Sequence, residues 1–233
     1  GGTGKTTSTI NLGVALNSLG EDVTIVDANL TTPNIGLHLG APIVPISLNH
    51  ILMGKASVEE AVYEHESGTK VMPSSLSVRD LGKIKFDKLG DVAKKLKKQG
   101  GYVILDSAAG LGEEAVASMS AADEIIVITN PEMPSVTDAL KAIKVAQSLD
   151  KDVRGVIVTR YTGHSSEMSL SSIKDLLEVP ILGIVPEDKR AREALSMKNA
   201  LVYTHPRSKG ARAYKKIAAK LAGKRVKEDK WYQ

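Results

Sequence analysis

Residues Gly1 to Thr7 read GGTGKTT and run straight into a helical pattern, Ile10, Val14 and Leu19. Glycines in a turn that opens a helix let successive backbone N–H groups point at phosphate oxygens with no Cβ in the way. In such a turn Gly2, Thr3 and Gly4 form the cradle, and Lys5 reaches the β and γ phosphates of a nucleoside triphosphate. Thr6 sets its hydroxyl on Mg2+, and Thr7 lies near the α phosphate. The stretch is the second part of the spacing G-x-x-x-x-G-K-[ST], so the first glycine of the loop and the strand that delivers the chain into it are expected before Gly1. Two acids, Asp27 and Asp106, each close an apolar run, VTIVD and YVILD. A carboxylate at such a place has a metal ion or a helix N-terminus to bind, and beside a phosphate loop a metal is favoured for both. Guanine readers of this loop class carry [NT]-K-x-D after a later strand. The corresponding run here is VIVTRYTG, without that Asp, so adenine is the expected base.

The elements that must position these residues alternate. The runs VTIV (23–26), TKVM (69–72), YVIL (102–105), EIIVI (124–128), VRGVIV (153–158) and PILGIV (180–185) read as strands buried on both faces. Between them Ala139, Ile143 and Ala146, then Ile173, Leu176 and Leu177, recur at helical spacing. The pattern predicts an α/β fold, one doubly wound, mostly parallel sheet with helices on both faces, and chemistry at the C-terminal ends of the strands. Gly20 closes the first helix, and Ser57 with Glu60 in ASVEEAVY is a capping-box pattern for a helix start. Ala211, Tyr214, Ile217, Ala218 and Leu221 give a helix over about 209–222 an apolar stripe to pack on the sheet. Residues 1–223 are expected to form a single P-loop domain, followed by a basic tail, 224–233.

Composition narrows the classes. The 233 residues are 42% apolar, enough for a sizeable core, and include no cysteine. Disulfides, thiolate zinc sites and iron-sulfur clusters are thereby excluded, and a cytoplasmic protein is favoured. No apolar run reaches the length of a membrane span. From Arg207 onward ten basic residues face two acids, while the net charge is only +4. The body is therefore mildly acidic and the C-terminal segment basic, which suits an anionic surface better than a chain coated for DNA. His38, His50, His65, His164 and His205 show no ligand spacing and read as surface or internally satisfied groups, and no G-x-S-x-G nucleophile elbow occurs.

With its paired glycines, GGTGKTT resembles the deviant Walker A motif, K-G-G-x-G-K-T, of the MinD/ParA family of ATPases. TIVDANLTTPNIGLHLG (24–40) resembles that family's switch I, and VILDSAAGL (103–111) its switch II, D-x-x-A-G. SLNHILMGKASVEEAVY (47–63), VITNPEMPSVTDALK (127–141), IVTRY (157–161) and GIVPED (183–188) follow in the order of the archaeal and bacterial MinD branch.

The resemblance implies roles. Asp106 holds Mg2+ through water and senses the γ phosphate, Gly110 swings its amide toward that phosphate, and Asp27 supports the metal site. Thr159, Arg160, Pro186, Glu187 and Asp188 line the adenine pocket. ATP with Mg2+ drives homodimerisation, aided by a lysine expected just before Gly1. Hydrolysis to ADP, stimulated by a protein partner, releases the dimer, with possible contact at the inner face of the cell membrane. One departure bears on catalysis. The acid commonly found two residues after Asp27, which orients the attacking water, is Asn29 here. An amide orients water but cannot take its proton, so slow intrinsic hydrolysis is expected; the alternative is that Asn29 stands too far away to matter.

Two rivals follow. A ParA-type partition ATPase would bind DNA through the basic C-terminal segment, against which the MinD-like segments weigh. A regulatory module would hold ATP without useful turnover. The tail GKRVKEDKWYQ carries too few large apolar positions for an interfacial helix.

Overall fold

The computed structural model describes residues 2–77 and 82–224. Gly1 and the tail from Arg225 onward lie outside the described residues. The elements run α1 (Lys5–Ser18), β1 (Val23–Ala28), α2 (Ile35–His38), α3 (Leu48–Leu52), β2 (Tyr63–Glu64), β3 (Lys70–Met72), α4 (Leu89–Lys98), β4 (Tyr102–Ser107), α5 (Glu113–Ala121) and β5 (Glu124–Thr129). They continue with α6 (Met133–Ser148), β6 (Asp152–Tyr161), α7 (Leu170–Leu177), β7 (Ile181–Pro186), α8 (Arg190–Ser196), α9 (Leu201–Thr204) and α10 (Lys209–Leu221).

All six expected strands are present. They pair in two ladders rather than the one expected: β2-β3-β1-β4, with only β2 antiparallel, and an all-parallel β5-β6-β7. A shared core joins the ladders. Along each strand alternate residues face opposite sides. Val23 and Ile25 of β1, Tyr102 and Ile104 of β4, Ile126 and Ile128 of β5 and Ile157 of β6 belong to one cluster with α1 and α10. Val26 and Ala28 pack with Val103 and Leu105 under α3 and α4, and Val127, Val156 and Val158 pack with α6 and α7. Apolar residues thus cover both faces, which is why these strands read as near-continuous apolar runs.

The same parity decides where the acids point. Counting by twos from Ile25 and from Ile104 puts Asp27 and Asp106 on the face covered by α1, at the strand ends nearest its first turn. Gly20, at φ 87°, donates its N–H to the Asn17 carbonyl and ends α1 as expected.

The helix expected from Ser57 is a correction. Ser57 N–H does donate to the Glu60 carboxylate at 2.8 Å, but the Ser57 hydroxyl also donates to it. Only half of the capping box forms, opening a single 3-10 turn, Glu59–Ala61. Tyr63 then pairs with Val71 across an antiparallel ladder, and the sheet edge outweighs the weak helical start. Among the described residues no helix is long and apolar enough to cross a membrane.

Candidate nucleotide site

Gly2 and Gly4 both take left-handed backbone, φ 87° and 83°, where an L side chain is strained. Gly4 is the N-cap of α1, and no side chain caps that helix. The first-turn N–H groups, which lack intrahelical acceptors, are left for a ligand. Thr159 holds the turn from the end of β6. Its buried hydroxyl lies 2.7 Å from the Thr3 carbonyl and 3.1 Å from that of Thr129, one proton serving two acceptors.

Below the turn, Thr6 donates to Asp106 Oδ2 at 2.7 Å and Thr9 donates to Oδ1 at 3.2 Å. Burial raises the Asp106 pKa; the bonds from Thr6 and Thr9 and the charges of Lys5 and His38 oppose that rise. Asp27 is fully buried. Its Oδ2 accepts from Asn34 N–H at 3.0 Å and Ile35 N–H at 2.9 Å, and its Oδ1 from Asn29 N–H at 3.3 Å. Asp27 therefore holds the start of α2, the helix-terminus role that its sequence position left open beside metal binding. Burial, then the charge of Asp106, pushes its pKa up to about 7 despite those three backbone bonds.

Two buried carboxylates, raised in pKa and in register on neighbouring strands, are short of positive charge. The contact of Thr6 hydroxyl with Asp106 carboxylate is an all-oxygen donor set, which fits Mg2+. Among the described residues no three His, Cys, Asp or Glu side chains converge, so a cation here would rely on phosphate or water oxygens as well.

Above the loop a cavity of about 380 Å3 joins Gly2, Gly4 and Thr7 to Thr159, Arg160, Pro186, Glu187 and Asp188, the whole set expected around adenine. Arg160 pairs with Glu187 at 3.2 Å. Asp188 accepts from Gly210 N–H at 2.9 Å and Arg190 N–H at 3.0 Å, tying the starts of α8 and α10 to the pocket. Lys5, Thr6, Asp27, Asn29, Asp106 and Gly110 do not line this cavity. The cavity thus opens on one side of the glycine turn, and the Asp27–Asp106 pair stands apart from its lining.

Two expected residues are not turned toward chemistry. Asn29 Oδ1 accepts from Thr32 N–H at 3.3 Å and Thr32 Oγ1 at 3.0 Å, within its own loop. Gly110 is exposed, at φ 82° with open space around it.

Sequence reasoning misses several neighbours. Thr9, three residues after Thr6 on one helical face, is within reach of that periodicity. His38, which the sequence reads as a surface or internally satisfied group, is internally satisfied and also lines the cavity. Its Nδ1 lies 2.8 Å from the Asn34 carbonyl, and nothing in its spacing marks it. Of the remaining histidines, His50 and His164 bond locally to Ser47 and Ser166, His65 sets its ring edge-on to Tyr203, and His205 lies 3.3 Å from the Glu193 carboxylate.

The CobQ/CobB/MinD/ParA nucleotide binding domain matches residues 1–202. The chain belongs to that family. An uncharacterized ATP-binding protein of Methanocaldococcus jannaschii is 40% identical to it over 223 residues, 96% of this chain and 84% of that protein. The cell division ATPase MinD of Pyrococcus furiosus superposes with a TM-score of 0.92 at 34% identity, over 96% of this chain and 94% of that one. The septum site-determining protein MinD of Pyrococcus horikoshii, complexed with Mg-ADP, gives 0.91 at 35% identity, over 98% and 96%. Family membership accounts for the order of the motifs along the whole chain.

Proposed function

We propose that this MinD/ParA family member is a MinD-like ATPase that works as a nucleotide-controlled switch in cell division site selection or subcellular positioning. The observation that carries the reading is the Thr6–Asp106 contact directly beneath the two left-handed glycines, with Asp27 opposite. Mg-ADP in the Pyrococcus horikoshii protein supports the same ligand here. Thr6 and Asp106 would hold Mg2+, with Asp27 behind them, and the ion would offset phosphate charge. Lys5 would bind the β and γ phosphates, and Gly110 would turn its amide to the γ phosphate. Adenine would occupy the end lined by Thr159, Arg160 and Pro186–Asp188.

Asn29 would orient water without accepting its proton, so turnover is slow until a protein partner assists. ATP favours a homodimer and ADP the monomer; affinity for a partner or for the inner membrane surface that differs between the two states makes the cycle a switch. The protein acts in the cytoplasm. ATP turnover together with nucleotide-dependent self-association tests this reading; a protein that binds Mg-ATP, hydrolyses none and never self-associates would instead be a regulatory module.

One observation favours a second reading. Arg190, Arg207, Lys209 and Arg212 line an open cleft of about 490 Å3 beside Asp188, the kind of basic surface a ParA-type ATPase would set on DNA. DNA binding that appears only with ATP and falls steeply with salt would favour it.

A further inference from the structure

The loop from Asn29 to Asn34 is held at three points. Asp27 takes the N–H groups of Asn34 and Ile35 at its far end, and Leu30 is buried among residues of α3 and α4. The third hold is Glu114. Thr31 N–H donates to Glu114 Oε1 at 2.9 Å, and Thr31 Oγ1 donates to Oε2 at 2.8 Å. Both oxygens of one carboxylate are thus taken by a single residue 83 positions away in the chain. Among the described residues no other side-chain hydrogen bond joins this loop to residues 107–114. Glu114 lies in the first turn of α5, four residues after Gly110, so it is carried by the segment that leaves Asp106.

We infer that Glu114 is a positioning residue for ATP hydrolysis, acting through Thr31 to set where Asn29 stands relative to Gly110 and Asp106. The inference rests on the hydrolytic reading above. A purely structural role does not explain the contact. It lies at the surface, where a hydrogen bond adds little to stability. Glu113 already supplies a negative charge to the first turn of α5, so the helix does not need Glu114 for that. What Glu114 alone does is join the loop that bears Asn29 to the loop that bears Gly110. A displacement of the Gly110 loop toward the γ phosphate would carry Glu114, and with it Thr31.

The test compares ATP hydrolysis with Mg2+ for the wild type, Glu114→Ala, Thr31→Val, the double variant and Thr31→Ser. Each of the first two is expected to lose about fivefold or more in kcat with KM within about twofold, and the double variant to be no worse than the poorer single. Thr31→Ser, which keeps the hydroxyl, is expected near wild type, and melting temperatures to shift by no more than about 2–4 °C. Wild-type kcat in Glu114→Ala, a loss confined to KM, or losses that multiply in the double variant would overturn the inference. Should the wild type turn over no ATP, the hydrolytic reading falls by itself. Amide hydrogen exchange then decides the contact: faster exchange at Thr31 in Glu114→Ala supports it, and equal exchange overturns it.

Discussion

Asp27 and Asp106 stand opposite each other in register at the C-terminal ends of the parallel strands β1 and β4, both at 1% exposure or less. Their partners differ. Asp106 receives two threonine hydroxyls from α1, whereas Asp27 receives backbone N–H groups from its own downstream loop. One acid is thus tied to the start of α1 behind the glycine turn and the other to the loop that leads into α2, and their mutual repulsion is poised for a cation to relieve.

The pair makes nucleotide-free stability depend on pH. Burial and Asp106 lift Asp27 from 3.8 to about 7, so the folded chain binds this proton more tightly than the unfolded one. Its contribution is fully favourable below about pH 4 and is lost as pH rises through about 7. Calorimetry is expected to show the nucleotide-free protein losing on the order of 1–3 kcal/mol from this group between pH 5 and 8. Asp27→Asn, which keeps an acceptor for Asn34 and Ile35, is expected to flatten the profile, whereas added Mg-ADP stabilises more at pH 8 than at pH 6.

Thr6→Val preserves shape and deletes the hydroxyl that meets Asp106. Without nucleotide it is expected to cost about 1–3 kcal/mol, because Asp106 Oδ2 loses a buried donor. Mg-ADP affinity is expected to fall by about tenfold or more, with the thermal stabilisation by Mg-ADP falling in step. Titration calorimetry in parallel with melting curves checks both.

Asn29→Asp restores a group able to accept a proton. Single-turnover hydrolysis is expected to rise by about tenfold or more. An unchanged or lower rate would show that Asn29, bonded to Thr32 in its own loop, does not limit the chemistry.

His38→Ala removes an imidazole from the cavity wall while α2 keeps its hold through Asp27 and Ile35. Nucleotide affinity is expected to weaken about threefold to tenfold, with a melting temperature within about 2–4 °C of wild type. Fluorescent-nucleotide titration measures the first and calorimetry the second; unchanged affinity would leave His38 an internally satisfied group with no part in binding.

Much of this architecture is legible in the residues themselves. Strands with apolar residues on both faces announce themselves as continuous runs, so β1, β4, β5, β6 and β7 fall within a few residues of their expected places. That Thr159, Arg160 and Pro186–Asp188 line one cavity is legible for another reason: they sit at strand ends whose order the motifs preserve. Contacts made by loops folding onto distant elements are not legible. Thr31 meeting Glu114 and His38 reaching the cavity follow from the path of the chain between β1 and α3, which no local spacing encodes. The short β2 is hidden because Ser57 and Glu60 mimic a helix start, while the pairing of Tyr63 with Val71 is a tertiary fact.

Sedimentation of the protein in Mg-ATP and in Mg-ADP tests the switch most directly. A nucleotide-controlled switch predicts a species of about twice the chain mass in ATP and a single chain in ADP, with Lys5→Ala remaining a single chain in both. One and the same mass for the wild type in both nucleotides would contradict it.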